Sequence, residues 1–195
     1  MSYTRQTTLT EEEAPMILDA TCSTKKIWPA NATVRIDKSR NVRPDVQADA
    51  RNLPFRPGIF DKIYCDPPHL IARKGWELEQ PEVGAYFASV NRHRRGMYHQ
   101  HILNNYRRFG LWHSREDWLD FIEKTDGEFA LALRTDGTLF YKLGETRDPK
   151  HSVKIGDMAA YSRFTETARR VTESRVHNPT YWLTMKPSPK PEAQR

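Results

Sequence analysis

Two cysteines, Cys22 and Cys65, are all the thiols this chain of 195 residues has. That is too few for a disulfide framework, and no Cys-x-x-Cys pair is present to hold a zinc ion. His99-Gln100-His101 is a weak pattern by itself, so no metal is expected. No apolar run approaches the ~18–20 residues that cross a bilayer, and no secretory h-region opens the chain. These absences exclude a helical membrane protein and point to a reducing, cytoplasmic setting. No internal repeat is apparent, which sets solenoid arrays aside. One absence is local: from Val83 to Arg115 there is no Asp or Glu at all.

What is present suits a folded domain with a basic surface. Lys and Arg number 31 against 25 Asp and Glu, a net charge of +6, and mean hydropathy is −0.80. Five Trp, eight Tyr and eight Phe provide a core. The length fits one domain over residues 1–186, with a Pro-rich, charged and disordered tail over 187–195.

The hydrophobic pattern alternates between strand and helix. Short β-rich runs fall at Met16–Thr21, Thr33–Asp37, Asp45–Asp49 and Phe60–Cys65. Ser114 is a candidate N-cap, with Asp117 three residues on. A helical period follows through Trp118, Leu119, Phe121, Ile122, Phe129, Leu131 and Leu133. Asp136-Gly137 is expected to turn the chain into a fifth strand, Thr138–Leu143, and an amphipathic helix is expected over Asp157–Arg169. Two β-like stretches, Arg170–His177 and Thr180–Lys186, flank Asn178-Pro179 and predict a terminal hairpin. The expected fold is α/β, an open and mostly parallel seven-stranded sheet ending in that antiparallel hairpin.

The acids share a position. Asp19, Asp37, Asp49 and Asp66 lie within or at the end of the first four strands, toward one rim of the sheet, where open α/β folds bind ligands. Asp66 begins the tetrapeptide Asp66-Pro67-Pro68-His69, directly after the fourth strand.

On these residues the sequence resembles the class I S-adenosylmethionine-dependent methyltransferases, a Rossmann-like family. Within them it resembles the amino-methyltransferases that carry an Asp/Asn-Pro-Pro-aromatic motif. It is also similar to small phage and prokaryotic methyltransferases with Asp-Pro-Pro-His. The resemblance covers residues 16 to 70 in order and spacing. It implies that Asp19, Ala20, Thr21, Cys22, Ser23 and Lys25 surround the methionine part of the cofactor. By the same resemblance Asp37 accepts the ribose hydroxyls, and Asp49-Ala50 lies near the adenine. Asp66, Pro67, Pro68 and His69 take the catalytic place. Ser23 and Lys25 stand where the family carries glycines, and His69 stands where it carries Tyr, Phe or Trp.

The chemistry asks for these residue types. The lone pair of an exocyclic amine on a base is delocalised, so methyl transfer to it needs mainly positioning. Asp66 and the Pro67 carbonyl would each accept one amine N–H, and the two prolines restrict the loop that holds them. The ring of His69 would stack on the base.

The acid-free run is expected to meet the substrate. It holds Arg92, Arg94, Arg95, Arg107, Arg108 and Arg115 among Tyr86, Phe87, Tyr98, Tyr106, Phe109 and Trp112. Arginines clamp phosphates and aromatics stack on bases. Residues 71 to 113 are therefore expected to form an excursion in which Arg92, Arg94, Arg95, Tyr98, Tyr106, Arg107 and Arg108 bind nucleic acid. A basic helical face with core aromatics is the plainer alternative. The expected reaction is methylation of adenine N6, cytosine N4 or guanine N2, with RNA slightly ahead of DNA. Rival readings are a protein (glutamine-type) or small-molecule N-methyltransferase, and a nucleic-acid-binding module that no longer uses the cofactor.

Overall fold

The computed structural model describes residues 14–22, 31–71, 112–145, 152–172 and 179–188. Seven strands lie in one sheet: β1 (Ile17–Asp19), β2 (Val34–Asp37), β3 (Val46–Gln47), β4 (Phe60–Cys65), β5 (Leu133–Gly144), β6 (Phe164–Thr172) and β7 (Thr180–Pro187). Their order is β3-β2-β1-β4-β5-β7-β6. The first five strands are mutually parallel, and β7 runs antiparallel between β5 and β6. The expected α/β architecture with its terminal hairpin is therefore present.

Strand alternation builds the core. Leu18, Ile36, Ile63, Cys65, Leu139, Tyr141, Leu143, Leu183 and Met185 are buried and form one cluster with helix residues. Those helix residues come from α1 (Arg115–Ala132), which buries Trp118, Phe121, Ile122, Phe129 and Ala132 at helical spacing. Ser114 caps α1 as expected, its side-chain oxygen accepting from Asp117 N–H at 3.1 Å. The second helix, α2 (Ile155–Tyr161), adds Ile155 and Met158. No described helix is long and apolar enough to cross a membrane.

Three local expectations are corrected. The helix expected over Asp157–Arg169 ends at Tyr161, and β6 begins at Phe164. The cause is a buried carboxylate: Asp126 of α1 accepts from Ser162 Oγ and, at 2.8 Å, from Arg163 N–H. These bonds draw the chain out of the helix, and Thr165 and Thr167 suit the strand that follows. The first strand of the hairpin thus lies earlier than expected. Asp136-Gly137 is no turn before β5 but part of it. Between the pairs Phe60↔Leu133 and Lys62↔Thr138, two residues of advance on β4 face five on β5, so β5 bulges there. Lys186 Nζ donates to the bulge carbonyls of Asp136 (2.5 Å) and Gly137 (3.1 Å). Leu131, counted with the apolar face of α1, is 61% exposed. The expected tail lies outside the described residues, apart from Pro187, which ends β7, and Ser188.

Candidate active site

The sheet order places β1 between β2 and β4. Chain connections leave β1 toward one side and later resume on the other, which opens a crevice at the carboxyl ends of β1 and β4. Asp19 ends β1 and Asp66 follows β4, and the register Asp19↔Tyr64 sets them side by side. Thr21 joins them. Its N–H donates to Asp19 Oδ1 at 3.2 Å, and its hydroxyl oxygen accepts from Asp66 N–H at 2.6 Å.

The Asp66–His69 loop is held at Pro68 and His69 as well as at Asp66. The Trp112 indole N–H donates to the Pro68 carbonyl at 2.8 Å, and Trp112 N–H to Leu70 O at 2.9 Å. Val153 N–H donates to His69 O at 3.4 Å. Trp112 is itself packed, 5.6 Å from Trp118 and 4.8 Å from Phe121 between ring centroids. The His69 ring lies on Gly144 at the end of β5. A Cβ there would stand 3.1 Å from His69 Cδ2 and 3.4 Å from Cγ, so any larger residue would press the ring outward by a few tenths of an ångström.

Two groups face the Asp66 carboxylate. Lys142 Nζ, from β5, donates to Oδ2 at 2.5 Å. His69 Nε2 lies 3.3 Å from Oδ1, off the line of a good hydrogen bond. Burial pushes the Asp66 carboxyl up, but the close His69 ring and the bonded Lys142 ammonium outweigh it and hold the group below the usual carboxylate range. Asp66 Oδ1 and His69 Nδ1 are buried and have no hydrogen-bond partner among the described residues. An orphaned carboxylate oxygen is an acceptor awaiting a donor.

Asp19 behaves in the opposite way. It is 4% exposed, and burial pushes its carboxyl up to about 7. The Thr21 N–H and the charge of Arg35 offset this in part, while the like charges of Asp66 and Asp37 add to it. Asp37 ends β2 and accepts Ser39 N–H on Oδ1 at 2.8 Å. Asp49 lies beyond β3 in a two-point ion pair with Arg51, whose hydrogen bonds lower its carboxyl. Ala20, Cys22 and Ala50 are buried in the core. The N–H groups of Ala20 and Cys22 are taken by Tyr64 O and Ile36 O. Both cysteines are free and buried, and burial pushes the Cys22 thiol up to about 12 and the Cys65 thiol well up, so neither is a ready nucleophile.

The structure thus brings Asp19, Thr21 and Asp66–His69 together, with Asp37 on the neighbouring strand and Asp49 tied to Arg51. Ser23, Lys25, Arg92, Arg94, Arg95, Tyr98, Tyr106, Arg107 and Arg108 lie outside the described residues, as do His99 and His101. Of the acid-free run, the described Trp112 holds the Asp66–His69 loop, and Arg115 pairs with buried Asp157. Sequence reasoning missed Lys142 and Gly144. The signal for Lys142 was a charge inside the apolar strand Leu139–Leu143, where nothing but a buried acid would repay it.

No protein-family model matches the sequence, and no curated protein does. Among solved structures, the PH0226 protein of Pyrococcus horikoshii aligns with a TM-score of 0.51 and 11% identity, covering 89% of this chain and 82% of its own. What the two share is a Rossmann-like fold, here a mostly parallel seven-stranded sheet with an antiparallel end. A SAM-dependent methyltransferase from Methanosarcina mazei aligns with a TM-score of 0.49 and 12% identity over 91% and 94% of the two chains. One from Leishmania major aligns at 0.48 and 10%, over 88% of this chain and 64% of that one. At such identities the likeness is one of fold, and the chemistry rests on this chain's own residues.

The acids fit S-adenosylmethionine, the cofactor expected from the sequence, in kind. S-adenosylmethionine carries a sulfonium and an ammonium beside ribose hydroxyls. A buried carboxylate pushed up to about 7, with two further acids near it, is the environment a bound cation would relieve.

Proposed function

We propose that this chain is an S-adenosylmethionine-dependent N-methyltransferase that modifies an exocyclic amine of a nucleic-acid base: adenine N6, cytosine N4 or guanine N2. RNA stands slightly ahead of DNA. The observation that carries the reading is the state of Asp66, ionised between Lys142 and His69, with Oδ1 buried and unbonded among the described residues. Such a group is a good hydrogen-bond acceptor and a poor base. A hydroxyl substrate would need a base with a pKa near neutrality. His69 is turned toward Asp66, its Nε2 3.3 Å from Oδ1. An amine keeps its own lone pair and needs only to be held.

Asp19 and Asp37 would hold the cofactor, Asp19 beside its cationic part and Asp37 at the ribose, with the loop from Thr21 to Lys25 around the methionine. When bound, the cofactor supplies an electrophilic methyl group. Asp66 Oδ1 and the Pro67 carbonyl would accept the two amine N–H groups and turn the nitrogen lone pair toward that methyl. The Pro68 carbonyl is already taken by Trp112. As positive charge develops on the nitrogen, the Asp66 carboxylate stabilises it. The amine proton becomes acidic only after transfer, so no strong base is required.

The excursion also favours a large substrate. Ile71 and Trp112 form a parallel bridge, and residues 72–111 between them lie outside the described residues. Their Arg and aromatic content suits phosphates and bases. The test is to incubate the chain with methyl-labelled cofactor and, separately, RNA, DNA, protein extract and small amines. Label is expected in nucleic acid, and label in protein or small amines alone rejects the proposal.

A further inference from the structure

Lys142 takes an ammonium group into a strand that otherwise reads as core. Its neighbours Tyr141 and Leu143 are fully buried on one face of β5, and Lys142 projects from the other with its side chain only 15% exposed. Nζ meets Asp66 Oδ2 at 2.5 Å and lies 5.5 Å from the ring centroid of Trp182, its cross-strand partner on β7. A long, flexible side chain is entropically costly to fix in this way. The strand position, the ion pair and the ring beneath the ammonium together fix it.

We infer that Lys142 is a positioning residue for Asp66, keeping the carboxyl ionised and turned so that Oδ1 faces the substrate amine. The geometry stands by itself, and its consequence for rate rests on the amine-methylation reading. The Asp66 side chain is 12% exposed, and burial favours the neutral acid. A neutral carboxyl would donate its O–H to the amine lone pair, blocking the electrons that must take the methyl group. The charged groups facing Asp66 come from three places. Asp19 on β1 is a like charge and favours the neutral acid. His69, from the same loop, opposes it through Oδ1. Lys142 opposes it through Oδ2. A substrate N–H that takes Oδ1 competes with His69 for that oxygen. Lys142 is then the cation that remains in place during transfer.

The experiment follows the Asp66 carboxyl directly, in the full chain labelled with ¹³C at aspartate Cγ, without cofactor or substrate. Asp66→Asn assigns its signal, and circular dichroism checks the fold of each variant. In the parent, the Asp66 signal is expected to stay in its ionised form down to about pH 4. Lys142→Met is expected to raise its midpoint by about one to three units, the range for removal of a close opposite charge. Lys142→Arg should restore the parent behaviour. Lys142→Gln keeps a hydrogen bond without the charge, and should shift the midpoint as Met does. If either uncharged variant folds and its midpoint is unmoved, the inference is overturned. If neither folds while Lys142→Arg does, the parent decides: a midpoint at or above the ordinary carboxylate value overturns it. A second arm measures methyl transfer to RNA. Lys142→Met should lose kcat as pH falls below its new midpoint, with KM for RNA within about twofold. Absence of transfer by the parent to any nucleic acid rejects the functional reading alone, and the carboxyl titration still decides for Lys142.

Discussion

Two carboxylates one strand apart carry opposite electrostatics. Asp66 is ionised because the Lys142 ammonium and the His69 ring flank it, whereas Asp19 sits buried among acids with its carboxyl pushed up to about 7. The sign for Asp19 follows from linkage. An unfolded Asp ionises near about 4, so between roughly pH 4 and pH 7 the folded protein holds a proton the unfolded chain has lost. This group's contribution to stability therefore declines as pH rises through that window. A bound cation reverses the preference. Cofactor affinity by calorimetry is expected to fall about tenfold per pH unit below pH 7, and Asp19→Asn should flatten that dependence. His69 is expected to act through its ring. His69→Phe keeps a ring for Gly144 and should retain activity within about tenfold, because Lys142 still holds Asp66, while His69→Ala should lose more than that. A dead His69→Phe beside an active His69→Ala would refute the stacking role. The Asp66 motif and the Asp19 strand end were legible because each follows a short apolar run. Lys142 was not, because its partner lies 76 residues away and no local pattern pairs them.

The elements show where local pattern loses to tertiary contacts. α1 was readable from its cap and apolar spacing, both of which are local. α2 was read too long, since nothing near Ser162 announces that Asp126, 36 residues earlier, will bond it. The β5 bulge was taken for a turn because Asp-Gly commonly makes one. In the structure Gly137 is required for space: a Cβ would stand 2.8 Å from Leu133 Cδ2 and 2.9 Å from Arg134 O. Gly137→Ala is expected to destabilise the fold by about 1–3 kcal/mol, as overpacking does. A thermal midpoint unchanged from the parent would show that the bulge relaxes freely.

For the molecule as a whole, the mostly parallel sheet and its terminal hairpin were legible from the alternation of strand and helix patterns, and the strand-end acids from residues 16 to 70. The excursion was legible only as composition. Its two ends proved structural, through Ile71, Trp112 and Arg115, and the remaining arginines await a test at the scale of binding. Arg94→Glu with Arg95→Glu should weaken RNA binding and flatten its salt dependence, leaving cofactor affinity nearly intact; a salt slope equal to the parent's would remove both residues from the interface. The most direct test of the central claim is mass spectrometry of nucleosides digested from RNA after incubation with isotope-labelled S-adenosylmethionine, comparing the parent with Asp66→Ala. The account predicts a labelled nucleoside carrying the methyl on an exocyclic nitrogen, its formation reduced about 10²–10³-fold by Asp66→Ala with cofactor affinity unchanged. A methyl found on oxygen or carbon, or a parent rate matched by Asp66→Ala, would contradict it.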